Sequence, residues 1–354
     1  ETLHADRVII ATGSSTFVPD VPGLAESGYL TNIEVFQLQA APASVVVLGG
    51  RYVALELAQL LSRLGARVTV LQRSARLLPT EDADVSDAVR EWLAAEGITV
   101  HTGVTTHGVA RRAAGGAVVV DVTVGDPHAG SGVERGARLQ LEFAEIVVAT
   151  GRRANTEGLG AAAAGVALDS RGAVVVDAHL QTTLPGVFAA GDVLAGKMFV
   201  YTAAYEGALA AANALADDAC CMRAVAYEPL PWVVFTDPQV AGVGMSEREA
   251  AEAGVAVDVS VCPLSAIPRA LAARDTRGFI KLVRRRTDHV LVGARVVAPE
   301  GGELLMQVSV AISAGLTSDK LAGMFHPYLT LSEGVKLACI GFDKDLKKLS
   351  CCAT

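Results

Sequence analysis

Hydrophobic positions along the chain fall into two kinds of run. Unbroken blocks rich in β-branched residues occur at Val8-Ile9-Ile10, Val45-Val46-Val47-Leu48, Val68-Thr69-Val70-Leu71 and Ile146-Val147-Val148. All four predict strands, and Val45-Val46-Val47-Leu48 one buried on both faces, as in a parallel sheet. Helical spacing follows the second block, at Val53, Leu57, Leu60 and Leu61, and returns within residues 82–97, where Val85, Val89 and Leu93 share a face. Residues 109–124 and 139–143 predict strands of a meander, with the Gly- and charge-rich stretch 125–138 as a solvated hairpin loop. Residues 201–217 predict a long Ala-rich helix. From Pro229 the pattern changes to alternating or apolar strands at 232–235, 240–245, 279–283 and 290–297, with a helix at 306–314. The first part therefore predicts an α/β architecture, and the last an α+β domain around an antiparallel sheet.

Chemistry enters at the turn after Leu48. Gly49-Gly50-Arg51-Tyr52-Val53-Ala54 joins a buried strand to a helix, which aims backbone N–H groups and the positive end of the helix dipole at one spot. That spot suits a pyrophosphate. The usual pattern is Gly-x-Gly-x-x-Gly/Ala, and Arg51 replaces its middle glycine. A tight turn in any parallel α/β unit is the competing explanation. The next strand ends on Gln72 and Arg73, with Arg76 close by, where an NAD site places an acid for the ribose 2′-hydroxyl. These residues favour a 2′-phosphate, hence NADPH; the alternative is an exposed polar helix start.

A short pattern recurs. Ile9-Ile10-Ala11-Thr12-Gly13 reappears as Val147-Val148-Ala149-Thr150-Gly151, and the two exits bracket the nucleotide unit. This predicts an inserted domain, entered after Gly13 and left near Thr150. Both crossings need small residues because backbones pass close to each other or to a ligand. Ala11, Thr12, Gly13 and Gly151 are thus candidate cofactor contacts. A further block, Pro185-Gly186-Val187-Phe188-Ala189-Ala190-Gly191-Asp192, closes on Gly-Asp.

Composition narrows the class. The 354 residues are 51% hydrophobic and 19% charged, enough for two or three domains with their own cores. A net charge of −8 disfavours nucleic acid and anionic membrane as partners. No apolar run reaches the length of a membrane span, and no signal peptide opens the chain. Six cysteines in so long a chain do not make a disulfide framework, which fits a reduced, cytoplasmic location. Cys262 and Cys339 sit among apolar residues and read as buried small hydrophobes; Cys220-Cys221, at a helix end, reads as incidental.

Together, the two Ala-Thr-Gly exits, the block from Pro185 to Asp192, and Phe235-Thr236-Asp237-Pro238-Gln239-Val240 resemble the flavoprotein disulfide reductases. The resemblance covers essentially the whole chain. It implies FAD- and NAD(P)-binding Rossmann-like domains of three layers plus a C-terminal α+β dimerisation domain. The divisions would be a partial FAD-binding domain at 1–40, an NAD(P)H-binding domain at 41–150, the remainder of the FAD domain at 151–228 and an interface domain at 229–354, in a homodimer. It also implies that Gly191 and Asp192 bind FAD, with the Asp192 carboxylate accepting from the ribityl chain. The segment through Val200 would run beside the flavin, and Glu56 would lie near flavin and nicotinamide. Tyr52 would cover the nicotinamide pocket and move when NADPH enters; the alternative is a helix-start aromatic packed on the core.

Two features point to the mercuric-ion-reducing members of that family. Disulfide reductases end with His-Pro-Thr-x-Ser-Glu, whose His–Glu pair shuttles protons for thiol chemistry. Here Thr330-Leu331-Ser332-Glu333 aligns with its end and places Tyr328 at the histidine position. A phenol, titrating near pH 10, is a poor base at neutral pH. Reducing a metal ion requires no proton delivery to a dithiol, so Glu333 is left without a histidine to orient. His326, two residues away, is expected to pack structurally. Tyr328 itself would contact the metal on its way inward. The second feature is the terminal pair Cys351-Cys352: a soft ion such as Hg(II) prefers thiolates. The resemblance implies that this pair delivers Hg(II) to the partner subunit's flavin site.

Three family elements have no counterpart in the 354 residues: the N-terminal Gly-x-Gly-x-x-Gly, the redox Cys-x4-Cys and a lysine beside Glu56. The expectation is therefore a C-terminal two-thirds piece that by itself would neither hold FAD tightly nor reduce mercury. Two other readings remain: a dihydrolipoamide dehydrogenase-like disulfide oxidoreductase, against which Tyr328 and Gln72-Arg73 argue, and a non-catalytic dimeric scaffold whose thiols bind soft metals.

Overall fold

The structure, a computed structural model, describes residues 4–113 and 115–348. It divides into two compact units, one made of Glu1–Pro19 with Thr150–Tyr227 and the other of Asp20–Ala149 with Glu228–Thr354.

In the first unit, Val8–Ile10 pairs in parallel with Val187–Ala189, and Ser14–Thr16 pairs antiparallel with Arg152–Ala154. The long helix Val200–Ala214 buries Leu209, Ala210 and Ala214 against Phe188, Leu180 and Ala190. A second small core gathers Ala154, Val166, Val174, Ala189 and Val193. Val8 and Ile9 remain 45% and 39% exposed in this strand pair.

The second unit holds the α/β sheet. Its four parallel strands lie in the order Thr99–His101, Arg67–Leu71, Ser44–Leu48, Glu145–Val148, the last reached through the inserted meander. All five residues of Ser44–Leu48 are buried, as a central parallel strand requires. Helices Tyr52–Arg63 and Ala83–Ala95 cross between the strands; Val85, Val89 and Leu93 face the core. Strand order reverses between Ser44–Leu48 and Glu145–Val148. A doubly wound sheet places its ligand crevice at the carboxyl ends of such a pair.

The meander departs from the sequence expectation. Residues 109–124 are not one strand but the end of Thr105–Arg111, a turn, and Val118–Thr123, which pairs on its other side with Arg138–Phe143. Gly116 donates to the Ala113 carbonyl within that turn, so the Gly115-Gly116 doublet was a break signal.

The C-terminal part is a five-stranded antiparallel sheet ordered Trp232–Val234, Gln239–Gly244, Leu291–Ala298, Phe279–Arg285, Val257–Pro263. The edge strand Val257–Pro263 adds to the strands expected from sequence; Val257, Val259 and Val261 alternate along it. The helix expected at 306–314 spans Gly301–Ser313, packing Leu304, Leu305 and Val308 onto the sheet. Cys262 and Cys339 are buried in this core, and burial pushes both thiols up to about 12. The α/β and antiparallel sheets also share a core: Val234, Val240 and Val297 belong to the cluster that contains Val45, Leu57 and Val70. No helix among the described residues is long and apolar enough to cross a membrane.

Candidate functional site

The turn after Ser44–Leu48 is built so that backbone can be approached closely. Gly49 has φ +125°, and a Cβ there would lie 2.3 Å from the Ala149 carbonyl oxygen, so the exits of the two switch-point strands nearly touch. A Cβ on Gly50 would meet Leu77 at 2.8 Å and the buried Gln72 at 3.0 Å. Neither glycine can be replaced without moving a neighbouring strand exit or the loop that follows Arg67–Leu71. The helix Tyr52–Arg63 then starts at Arg51 with no side-chain cap and no acidic residue in its first turn. An uncapped helix N-terminus behind a glycine turn fits a diphosphate in both charge and shape.

The rotation of this helix is fixed by one polar stripe. The Tyr52 ring lies nearly parallel to Trp232, with centroids 5.4 Å apart. Glu56 accepts from the Phe235 N–H at 2.8 Å. Gln59 accepts from the Asp237 N–H at 2.7 Å and donates to its carbonyl at 2.9 Å. Arg63 reaches the Asp237 carboxylate at 2.9 Å and Glu96 at 2.7 Å. Positions 52, 56, 59 and 63 stand one above another on a helix. They pair with residues 232, 235 and 237, which run through Trp232–Val234 and just beyond it. Half-buried Glu56 has no lysine partner among the described residues; burial pushes its carboxyl upward, with the Phe235 N–H opposing.

The two arginines proposed for a 2′-phosphate part company. Arg76 turns toward the helix Ala83–Ala95, pairing with Asp87 at 3.1 Å and donating to the Ala83 carbonyl. Exposed Arg73 makes no hydrogen bond or ion pair among the described residues. Farther along, the loop docks on the antiparallel sheet through buried charge. Glu81 binds Arg295, which is 2% exposed, at 2.5 Å. Lys281, fully buried, lies within 2.9 Å of Asp82, Asp84 and Glu247. Burial pulls the Lys281 ammonium down, but the three carboxylates outweigh it and leave the net shift upward. Burial raises Asp82, but the Lys281 contact prevails and holds it below the usual range.

In the other unit, small residues and polar side chains gather around Asp192. Gly13 has φ +72°, and Ser14 donates to Asp192 at 2.6 Å. Arg152, next to Gly151, donates from Nε to the Ser14 hydroxyl at 2.6 Å, with the Asp192 carboxylate 3.6 Å away. Thr12 exchanges hydrogen bonds with Asn155, donating to its carbonyl and accepting on its own from the amide. The Gly191 N–H donates to buried Glu206, which also accepts from the Tyr227 hydroxyl. Ala11, Thr12 and Gly151 are exposed, and Gly13 half-buried. Val200 is 88% exposed at the start of its helix. This open carboxylate edge, flanked by small residues, fits the hydroxylated chain of a flavin nucleotide.

Near the C-terminus, Tyr328 is 61% exposed, and no hydrogen bond among the described residues joins it to Glu333. The Glu333 N–H donates to Thr330, and its buried Oε2 has no hydrogen-bond partner among the described residues. Half-buried His326 faces the Met324 carbonyl at 3.2 Å. Exposed Cys220 and Cys221 lie in a separate one-turn segment, Ala219–Cys221, with sulfurs 3.9 Å apart. Cys351 and Cys352 fall outside the described residues.

Sequence reasoning missed Gln59, Trp232, Asp237, Lys281 and Arg295. The signal for Gln59 was present: polar Glu56, Gln59 and Arg63 recur at helical spacing on a face separate from Val53, Leu57 and Leu61. The buried cations carried no signal, since nothing local distinguishes them from surface charge.

Residues 1–207 match the pyridine nucleotide-disulphide oxidoreductase family, and residues 230–339 match the dimerisation domain of the same family. The chain belongs to this family of oxidoreductases. It is similar to mercuric reductases along nearly its whole length: 40% identical to that of Staphylococcus aureus, covering all of this chain and 62% of the relative. It is 42% identical to that of Streptomyces lividans, covering 99% of this chain and 71% of the relative. The chain spans between 53% and 71% of the length of the curated relatives it matches. Among solved structures, the Cu(II) complex of the HOCl-induced flavoprotein disulfide reductase RclA from Escherichia coli superposes with a TM-score of 0.83 at 28% identity. That match covers 95% of this chain and 73% of RclA. LpdA from Mycobacterium tuberculosis gives 0.81 at 28%, covering 95% and 69%.

Proposed function

We propose that this chain belongs to an NADPH-dependent, FAD-containing enzyme that reduces Hg(II) to volatile Hg(0), as a mercury-detoxifying homodimer of the cytoplasm. Similarity to mercuric reductases over nearly the whole chain carries the reading. Tyr328, in place of the proton-shuttling histidine of disulfide reductases, supports metal over disulfide as the electron acceptor.

In this reading residues 1–40 and 151–228 serve FAD, 41–150 serve NADPH, and 229–354 form the subunit interface. Gly49 and Gly50 admit the coenzyme diphosphate to the open helix N-terminus. Arg73 meets the 2′-phosphate, with Arg76 held in reserve by Asp87. Tyr52 gates the nicotinamide. Glu56, whose carboxyl burial pushes upward against the Phe235 N–H, lies near flavin and nicotinamide. Asp192 accepts from the flavin's ribityl hydroxyls, while Ala11, Thr12, Gly13, Gly151 and Gly191 allow close approach, and Val200 borders the ring. The two cofactors together supply the two-electron transfer, with NADPH and Hg(II) giving NADP+, Hg(0) and a proton. Cys351 and Cys352 capture the soft ion as a dithiolate and hand it inward by ligand exchange, past Tyr328 and Glu333.

The test is NADPH oxidation by the whole protein with excess small thiol. Oxidation dependent on Hg(II), with mercury vapour released and neither lipoamide nor glutathione disulfide reduced, is expected. Faster turnover of either disulfide than of Hg(II) would overturn the assignment.

A further inference from the structure

We propose that Trp232 is the seat of Tyr52: a positioning residue that holds the phenol ring at rest beside the coenzyme turn, and from which the ring lifts when NADP(H) binds. This rests on the coenzyme reading above.

Tyr52 opens the helix Tyr52–Arg63, two residues after Gly50, so its ring borders the turn read as the diphosphate site. It lies 13° from parallel with Trp232, at a centroid separation suited to offset stacking. Trp232 is itself immobilised. In the sheet it stands level with Gly242, which stands level with Arg295. The indole lies flat across Gly242, where a Cβ would come within 2.4 Å of it. Its centroid is 5.6 Å from the Arg295 guanidinium. Arg295 is fixed in turn by Glu81 and by the carbonyls of Val243, Gly244 and Ala294.

The helix backbone is equally constrained. Below Tyr52, the contacts of Glu56, Gln59 and Arg63 with Phe235 and Asp237 forbid rotation or sliding. In this proposal the moving part is the Tyr52 side chain, which swings against a stationary indole. Glu81 also lies on the loop that carries Arg73 and Arg76. The platform under the indole is therefore anchored to the same loop that meets the far end of the coenzyme.

Lifting the ring sacrifices a stack, so part of the coenzyme's binding energy opposes it. A stack of this kind corresponds to about a 3- to 10-fold change in affinity. The chain has two tryptophans, so Trp92→Phe leaves Trp232 as the lone indole. NADP+ is the probe, because it does not absorb where indole emits. In the Trp92→Phe chain, saturating NADP+ is expected to change Trp232 emission. Adding Tyr52→Leu should remove that response while calorimetry still registers binding. Trp232→Leu should bind NADP+ about 3- to 10-fold more tightly, and Trp232→Phe, which keeps an aromatic seat, within about twofold of the parent.

A silent indole at calorimetric saturation overturns the seat, as does an unchanged or weakened affinity in a folded Trp232→Leu chain. Should Trp232→Leu fail to fold, the emission response and Trp232→Phe decide alone. Absence of any NADP+ binding overturns the coenzyme reading and the seat with it.

Discussion

The helix Tyr52–Arg63 and the Asp192 edge make a sharp contrast. Along Tyr52–Arg63, the polar residues Glu56, Gln59 and Arg63 each have a partner on the neighbouring strand segment, and the residues facing inward are buried. Around Asp192, a few hydrogen bonds tie together residues that stay largely open, and Val8, Ile9, Val200 and Tyr201 expose apolar surface nearby in the same unit. The first region is organised by the fold itself. In the second, polar groups are oriented but uncovered, the arrangement expected where a ligand supplies much of the contact. Substitutions in the first region should therefore cost stability, and those in the second should cost ligand affinity with the fold intact.

The largest expected effect lies at Lys281. Replacing it with Met leaves three carboxylates facing one another around a buried site, and breaking such a cluster costs about 3 kcal/mol. Urea unfolding would record this as a lowered midpoint at an unchanged slope. The pH profile should change with it. Asp82 is held below its ordinary pKa, so its contribution is full above about pH 4 and lost as pH falls through the folded value. Lys281 is held above its ordinary pKa, so its contribution is full below about pH 10.5 and lost at higher pH. Lys281→Met should flatten both limbs.

Next comes Gln59→Ala, which leaves the Asp237 N–H without its partner and the Asp237 carbonyl with only the longer contact from Arg277. A loss of about 2 kcal/mol is expected, read in the same titration. A loss below about 0.5 kcal/mol would mean that the seam does not fix the helix.

On the exposed side, Asp192→Asn in the whole protein should leave unfolding within about 0.5 kcal/mol of the parent. It should weaken FAD retention about 10- to 100-fold, followed by flavin absorbance after dialysis. The smallest expected effect on stability is at Arg73. Arg73→Ala should leave unfolding unchanged within error and reduce NADP+ affinity about tenfold, with NAD+ affinity unaffected. If Asp192→Asn destabilises as much as Gln59→Ala, the division between the two regions fails.

The sequence was legible where one element explains itself. Val45-Val46-Val47-Leu48 could only be a buried strand, and Gly49-Gly50 marked a turn whose tightness the Ala149 contact now explains. The two Ala-Thr-Gly exits lie near the places where the compact units change over, after Pro19 and at Thr150. The strand break at Gly115-Gly116 and the edge strand Val257–Pro263 were legible and overlooked. What no local pattern could supply was partnership at long range. Lys281 and Arg295 sit in ordinary strand contexts, and only the fold brings Asp82 and Glu81 to them across about two hundred positions. Trp232 looked like any strand aromatic until Gly242 cleared a place for it.

The reading proposed above requires that the unit containing Gly49, Gly50 and Arg73 bind a 2′-phosphorylated dinucleotide. Calorimetric titration of the 354-residue chain with NADP+ and with NAD+ tests it directly. The account predicts that both bind at one site, NADP+ about tenfold more tightly. Equal affinities, a preference for NAD+, or no heat from either would contradict it.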